Sequence, residues 1–303
     1  MGRTNQSSFC LIFKNIGFLC RYCIVFLILT IPLFSKPDQK ITPIIEKAKD
    51  YFFIEKDLKL THYHTSYRIF VAKSKIKYRK FVAKSKIKYK KYKVIYLLDG
   101  NAFFSRFLNL YNYLPKEDIL IVGIGYDSPL AFDTTHRTKD YTPKVQGLEF
   151  QNGGGSFEFR QFIKTELLPY INTHYETSED FQILFGHSFG GLFALDTLFN
   201  DTKLFSHYFI ISPSLWWGGS EFIPKRISLS NCPQIYMALG SAESNSSIKK
   251  AKAKISVKEL GMQILNHSAC EVEFKLFENE THGSVIEKAM IWAIENIKSE
   301  PID

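Results

Sequence analysis

A serine, a histidine and a glutamate in the second half of the chain have the side chains that acyl transfer needs. Ser188 lies in Gly186-His187-Ser188-Phe189-Gly190, a G-x-S-x-G turn between an apolar run (181–185) and a segment of helical spacing (191–198). A serine hydroxyl is a weak nucleophile, so it must stand clear of the backbone and meet a base. A tight strand-to-helix turn does the first, because glycines at 186 and 190 let strand and helix approach. The helix starting at Phe189 then aims its dipole and free N–H groups at any oxyanion formed beside Ser188. The alternative is a glycine-rich turn holding an incidental serine.

The base should follow in the chain, since a G-x-S-x-G elbow is succeeded by its acid and then its histidine. Of eight histidines only His207, His267 and His282 lie downstream of Ser188. His207 opens a strand, at the wrong end of a sheet, and His267 ends a helix. His282 follows the last strand and precedes the last helix, in a loop that can reach the serine; it would take the Ser188 proton and return it to the leaving alcohol. The acid should follow the strand before that one, where Leu239-Gly240-Ser241-Ala242-Glu243 supplies Glu243. Asp196 and Glu259 fall on helices, and Glu278 and Glu280 are too near His282 in the chain. A loop glutamate facing solvent is the competing reading of Glu243. The oxyanion needs two backbone donors: the N–H of Phe189, and one from the loop after Asp99-Gly100, assigned to Asn101.

Strands and helices must deliver these groups. The segment 62–71 alternates and reads as a strand, 93–98 and 119–124 read as buried strands, and 127–156 as a polar, glycine-rich surface excursion. A helix is expected over 157–175, shortened or kinked at Pro169. Strands at 207–211, 234–239 and 270–277 come next, with helices at 246–266 and 284–298. The alternation predicts an α/β fold, a mostly parallel sheet with helices on both faces. Ligands in such sheets gather at the carboxyl ends of the strands, where Asp99, Tyr126, Ser188, Ser212 and Gly240 all fall.

The 303 residues are 45% hydrophobic, enough for one large domain. The net charge of +9 is local. Eleven Lys or Arg and no acid lie between Lys73 and Lys93, leaving the remainder close to neutral, so a nucleic-acid binder is not implied. This stretch is a repeat: FVAKSKIKY occurs at 70–78 and again at 81–89. Lysines alternate with Ile and Tyr at period two, which predicts a duplicated Lys-rich hairpin over 70–93 at a sheet edge, discouraging edge-to-edge pairing. The functional alternative is a positive surface for an anionic substrate or membrane. Arg3, Lys14 and Arg21 precede an uncharged run of thirteen residues, 22–34. That is too short for a span of about 20 residues but suits a signal-peptide core, with an uncleaved tether as the rival. Residues 1–36 are therefore read as signal peptide or membrane anchor, 37–60 as a connecting segment and 61–303 as the domain. Export to the periplasm, free or membrane-anchored, is expected. Cys20 and Cys23 have no partner pair for zinc. Cys232 and Cys270 are either two small buried apolar residues or, if their strands are parallel neighbours, a disulfide at the amino-terminal edge of the sheet.

Six ordered motifs carry a family resemblance: YLLDGN (96–101), VGIGY (122–126), RTKDYTP (137–143), LFGHSFGGLFAL (184–195), SPSLWW (212–217) and ETHGS (280–284). Together they resemble the esterase family of α/β-hydrolases, which includes siderophore trilactone esterases for enterobactin and salmochelin and is related to esterase D and the mycolyltransferases. The resemblance runs from about residue 65 to the C-terminus. It implies the α/β-hydrolase fold without a separate large cap domain, and catalytic roles for Ser188 and His282. Some relatives need only that pair, which leaves the place of Glu243 open. It also implies that Arg137 contacts substrate, with an ion pair to Asp140 as the alternative, and that Trp216 and Trp217 stack on a catechol ring or simply pack. The second FVAKSKIKY departs from the family pattern.

The resulting expectation is an exported serine esterase that cleaves ester or lactone bonds through an acyl-enzyme. Its substrate would be a siderophore-type trilactone, in one form an anionic ferric siderophore; no cofactor or metal is called for. A general carboxylesterase or thioesterase would use the same residues. A catalytically dead binding module is the reading from another class, and the intact serine, histidine and donor loops argue against it.

Overall fold

The computed structural model describes residues 38–75, 91–112, 115, 117–245 and 253–299. The expected export segment and the second lysine-rich copy lie outside them. Residues Asp38–Asp303 form one compact unit. Its core is a nine-stranded sheet in the order β1-β3-β5-β4-β6-β7-β8-β9, with β2 paired to β3. The strands are β1 Phe52–Ile54, β2 Leu58–His62, β3 Thr65–Ser74, β4 Tyr92–Leu97, β5 Ile119–Tyr126, β6 Thr177–His187, β7 His207–Ile211, β8 Gln234–Gly240 and β9 Val272–Phe277. From β5 through β4 to β9 all neighbours are parallel, so the loops after these strands all emerge at one edge.

The apolar runs are continuous because both faces of the sheet are covered. Alternate residues of β4 enter opposite cores: Val94 and Tyr96 join one, Ile95 and Leu97 the other. The first core is closed by α3 (Thr134–Tyr141), α4 (Ser156–Phe162), α5 (Leu168–His174), α6 (Phe189–Asn200) and α7 (Val257–His267). The second lies under α1 (Glu46–Tyr51), α2 (Gly100–Asn109) and α8 (Val285–Ser299). A π-helical turn, Ile163–Leu167, joins α4 to α5, and Pro169 sits in the first turn of α5. The missing proline N–H is accommodated by opening the helix there rather than by ending it.

Four expectations are corrected. The supposed connector 37–60 supplies α1, β1 and most of β2, and Ala48 and Phe52 from it are buried. The single strand expected over 62–71 is the turn and second arm of a β2–β3 hairpin, with the turn at Tyr63, whose φ is 50°. The first repeat copy is not at an edge: its FVAKS portion belongs to β3, which pairs with β1, β2 and β5. There Lys73 pairs with Glu55 at 2.9 Å, and at the end of the basic stretch Lys93 is buried, its Nζ donating to the Ile297 carbonyl at 2.7 Å. The excursion 127–156 is not wholly superficial, since it folds α3 and buries Asp140 and Tyr141. Burial outranks the polar look of that segment because its polar groups find partners inside.

Cys232 and Cys270 are disulfide-bonded, with Cα atoms 4.7 Å apart. They sit just ahead of β8 and β9, which are parallel neighbours with Ile235 beside Val272. The bond therefore ties the amino-terminal edge of the two strands whose other ends lead to Glu243 and His282.

Candidate active site

Ser188 occupies the turn between β6 and α6 with φ 59° and ψ −115°, a conformation that non-glycine residues adopt only when their surroundings enforce it. Its N–H donates to the Ile211 carbonyl at 3.0 Å, while its own carbonyl accepts from Leu192 and Ser214. Of the flanking glycines, Gly186 and Gly191 are the ones packed against backbone. A Cβ on Gly186 would collide with the Gly190 carbonyl, and one on Gly191 would lie 2.7 Å from the Ile211 oxygen. At Gly190 the nearest atom would be Leu98 Cβ at 3.4 Å, an ordinary contact, so the close-approach role expected there belongs to Gly191.

His282 and Glu243 come to this serine from the loops after β9 and β8. His282 Nε2 is 3.0 Å from Ser188 Oγ, and His282 Nδ1 is 2.8 Å from Glu243 Oε2. A carboxylate only accepts, so Nδ1 carries the proton and Nε2 presents its lone pair to the serine hydroxyl. Glu243 Oε1 accepts from Ser212 Oγ at 2.6 Å and from the Gly240 N–H at 2.9 Å. Three donors on one carboxylate fix its orientation, and with it that of the imidazole. The histidine side chain remains 51% exposed against 11% for the glutamate, so solvent reaches the imidazole while its carboxylate partner is shielded.

Three further groups hold this arrangement and were given no catalytic part by the sequence. Ser212, at φ 44° after β7, directs its hydroxyl to Glu243. Ser214 Oγ lies 3.2 Å from Ser188 Oγ. His187 is buried, and its Nε2–H donates to the main-chain carbonyl of His282 at 2.8 Å. Burial, with the neighbouring His282 ring and the cationic Arg137 adding to it, holds the His187 pKa well below the ordinary imidazole value. A neutral ring can keep donating from Nε2 without placing a second charge beside His282. The signal for Ser212 and Ser214 was available in SPSLWW at a strand end; His187 is hidden within the nucleophile motif itself.

The donor segments lie close by. Phe189 opens α6, where first-turn N–H groups have no helical acceptor. Asn101 lies in the first turn of α2, after Asp99 in the left-handed region at φ 53°. A Cβ on Gly100 would come within 2.7 Å of the β5 backbone. The Asn101 side chain is occupied, accepting from the Tyr126 N–H and donating to the Tyr126 and Ser128 carbonyls.

Arg137 pairs with Asp99, not with Asp140. Its Nε and Nη2 donate to the two Asp99 oxygens at 2.8 and 2.9 Å, and both side chains are nearly buried. Asp140 instead accepts from the Tyr126 hydroxyl, and burial pushes its pKa up to about 6. Trp217 is buried and donates from Nε1 to the Pro143 carbonyl at 2.9 Å, which removes it from the expected stacking role. Trp216 is half-buried with its ring 5.7 Å from that of Phe189, and is the one tryptophan of the pair beside the elbow that keeps an exposed face.

The esterase family model matches residues 83–261, more than half of the chain and including Ser188. The chain belongs to the esterase family. This esterase is 33% identical over 221 residues to the ferri-bacillibactin esterase BesA of Bacillus subtilis, covering 64% of this chain and 75% of that one. It is 29% identical to the apo-salmochelin esterase of Escherichia coli, over 69% of this chain and 70% of the relative. Among solved structures, the BES protein from Bacillus cereus superposes with a TM-score of 0.66 at 28% identity, covering 88% of this chain and all of that one. The esterase thus has the α/β-hydrolase fold of this family and is a serine hydrolase that cleaves carboxylic esters.

Proposed function

We propose that this esterase opens the ester bonds of a siderophore-type trilactone through an acyl-enzyme on Ser188. The observation that carries the reading is the unbroken chain from Ser188 Oγ through His282 to Glu243, at 3.0 and 2.8 Å, on the turn of a strained elbow. Ser188 attacks the ester carbonyl as His282 Nε2 takes its proton. Glu243 stabilises the imidazolium and keeps Nδ1 the donor. The N–H groups of Phe189 and Asn101 receive the oxyanion. The imidazolium returns the proton to the leaving alkoxide, and water, activated by the same nitrogen, releases the acid.

The substrate class is supported by the named activities of the relatives. Export is supported by the Cys232–Cys270 bond, which an oxidising compartment maintains, and by the short apolar run at 22–34. Among the described residues no helix is long and apolar enough to cross a membrane.

Turnover on a panel of ferric and iron-free catechol trilactones and short aryl esters tests the reading. The trilactones should exceed the aryl esters by about tenfold or more in kcat/KM, about 1.4 kcal/mol of discrimination. The reverse order would assign a general carboxylesterase. Absence of fluorophosphonate labelling at Ser188 would remove the mechanism altogether.

A further inference from the structure

The Asp99–Arg137 pair lies where a charge is hardest to tolerate and most able to act. Asp99 is the last residue before the Gly100-Asn101 turn. Its carboxylate also faces the start of α6, since a Cβ on Gly190 would be 3.7 Å from Asp99 Oδ2. Left alone, this buried carboxylate would oppose negative charge developing on an oxyanion beside Ser188. Arg137 meets it with a two-point fork at 2.8 and 2.9 Å. The same guanidinium lies 5.3 Å from the centre of the Phe189 ring, so one side chain from α3 bears on both donor segments.

The turn is held from three further directions. The Asp99 N–H donates to the Tyr141 hydroxyl at 2.9 Å, and its carbonyl accepts from Ala102 and Phe103. Asn101 is pinned to the Tyr126 backbone in both directions. Asp99 holds a left-handed φ of 53°, which needs such support to persist. Arg137 and Tyr141 are one helical turn apart on α3, so that single turn of helix grips the main chain and the side chain of Asp99 together.

We infer that Arg137 is a positioning residue for the oxyanion site: it neutralises Asp99 and locks the Asp99-Gly100-Asn101 turn against the Phe189 end of α6, rather than binding substrate. This rests on the reading of Ser188 as nucleophile. Lysine cannot replace it fully, because a point charge cannot satisfy both carboxylate oxygens in a plane.

The test uses Arg137→Gln, Arg137→Lys, Asp99→Asn and the double variant Asp99→Asn/Arg137→Gln, assayed on a neutral aryl ester and on an anionic one. Arg137→Gln should lower kcat by about 10²-fold, the loss typical of a damaged oxyanion site, with KM within about threefold on both esters. Affinity for an arylboronic acid, which mimics the tetrahedral adduct, should fall in step with kcat. The double variant should recover about tenfold or more of the loss, because the uncompensated carboxylate has gone, and Arg137→Lys should fall between wild type and Arg137→Gln. If Arg137→Gln does not fold, the lysine and double variants carry the same comparison. A loss confined to KM and larger for the anionic ester would overturn the inference in favour of a substrate contact. Normal kcat with a lowered Tm would reduce the pair to scaffold. Activity surviving in Ser188→Ala would instead refute the underlying mechanism, whereas an inactive Ser188→Ala beside normal Arg137 variants would refute this inference alone.

Discussion

Substituting Glu243 by Gln changes the site by one atom and one charge, and the surrounding donors decide the consequence. Oε1 accepts from Ser212 and from the Gly240 N–H, while Oε2 faces His282 Nδ1. A glutamine can keep its oxygen on the first two donors only by turning its NH₂ toward the histidine. The ring then places its proton on Nε2, where it meets the Ser188 hydroxyl and cannot accept from it. Flipping the amide restores the working tautomer but sets NH₂ against the Gly240 N–H, at about 1–3 kcal/mol for the unpaired donors. The lost charge removes a further 1.5–3 kcal/mol or so of support for the imidazolium. The total, about 3–6 kcal/mol, corresponds to a fall in kcat of roughly 10²–10⁴-fold. Stopped-flow hydrolysis of a chromogenic ester, read as acylation rate and steady-state kcat, measures it, with circular dichroism to establish folding. A folded variant within about threefold of wild type would mean that the Ser188–His282 pair works alone, and that Glu243 only braces its loop.

Ser188→Ala and His282→Ala should each lower kcat by about 10⁴-fold or more, since the two act as a unit; near-normal turnover in either would refute the mechanism. Asp140 is held protonated up to about 6 against 3.8 as its ordinary value, so the folded state binds the extra proton between those limits. Its contribution is present below about pH 4 and lost as pH rises through 6, which makes Asp140→Asn gain up to about 3 kcal/mol relative to wild type between pH 4 and 8 in urea unfolding. An equal difference at both pH values would contradict the buried, proton-binding assignment. Replacing Cys232 and Cys270 by alanine opens a loop of 38 residues in sequence separation, and should cost about 3–4 kcal/mol of stability in the chain-entropy model while leaving kcat unchanged. Two titratable thiols from this pair, in protein purified without reductant and measured under denaturing, non-reducing conditions, would mean that the bridge does not form. Deleting residues 70–80 brings the identical FVAKS of the second copy into the place of the β3 segment, so a folded enzyme is expected. Its KM for an anionic substrate should rise and depend less on salt; an insoluble product would point to an essential structural role.

Much of this esterase is decided by local chemistry. Apolar runs of strand length, the glycine-flanked Ser188 and a histidine between the last strand and last helix specify a parallel sheet and its working edge, because period and turn chemistry act over a few residues. The spacing also placed Glu243 on the loop that meets His282. Partnership between distant side chains is decided only by the assembled fold. Arg137 lies three residues from Asp140, yet it reaches Asp99 because α3 lies against the turn after β4, where the Tyr141 hydroxyl also accepts from the Asp99 N–H. Trp216 and Trp217 are adjacent and alike in chemistry, but one is buried against Pro143 while the other keeps a face in solvent. The lysines of the repeat read as a solvated edge until β1 and β2 cover that side of β3, where Lys73 finds Glu55. Alternation along a strand tells which residues share a face; which neighbour covers that face depends on chain that folds back from far away in sequence.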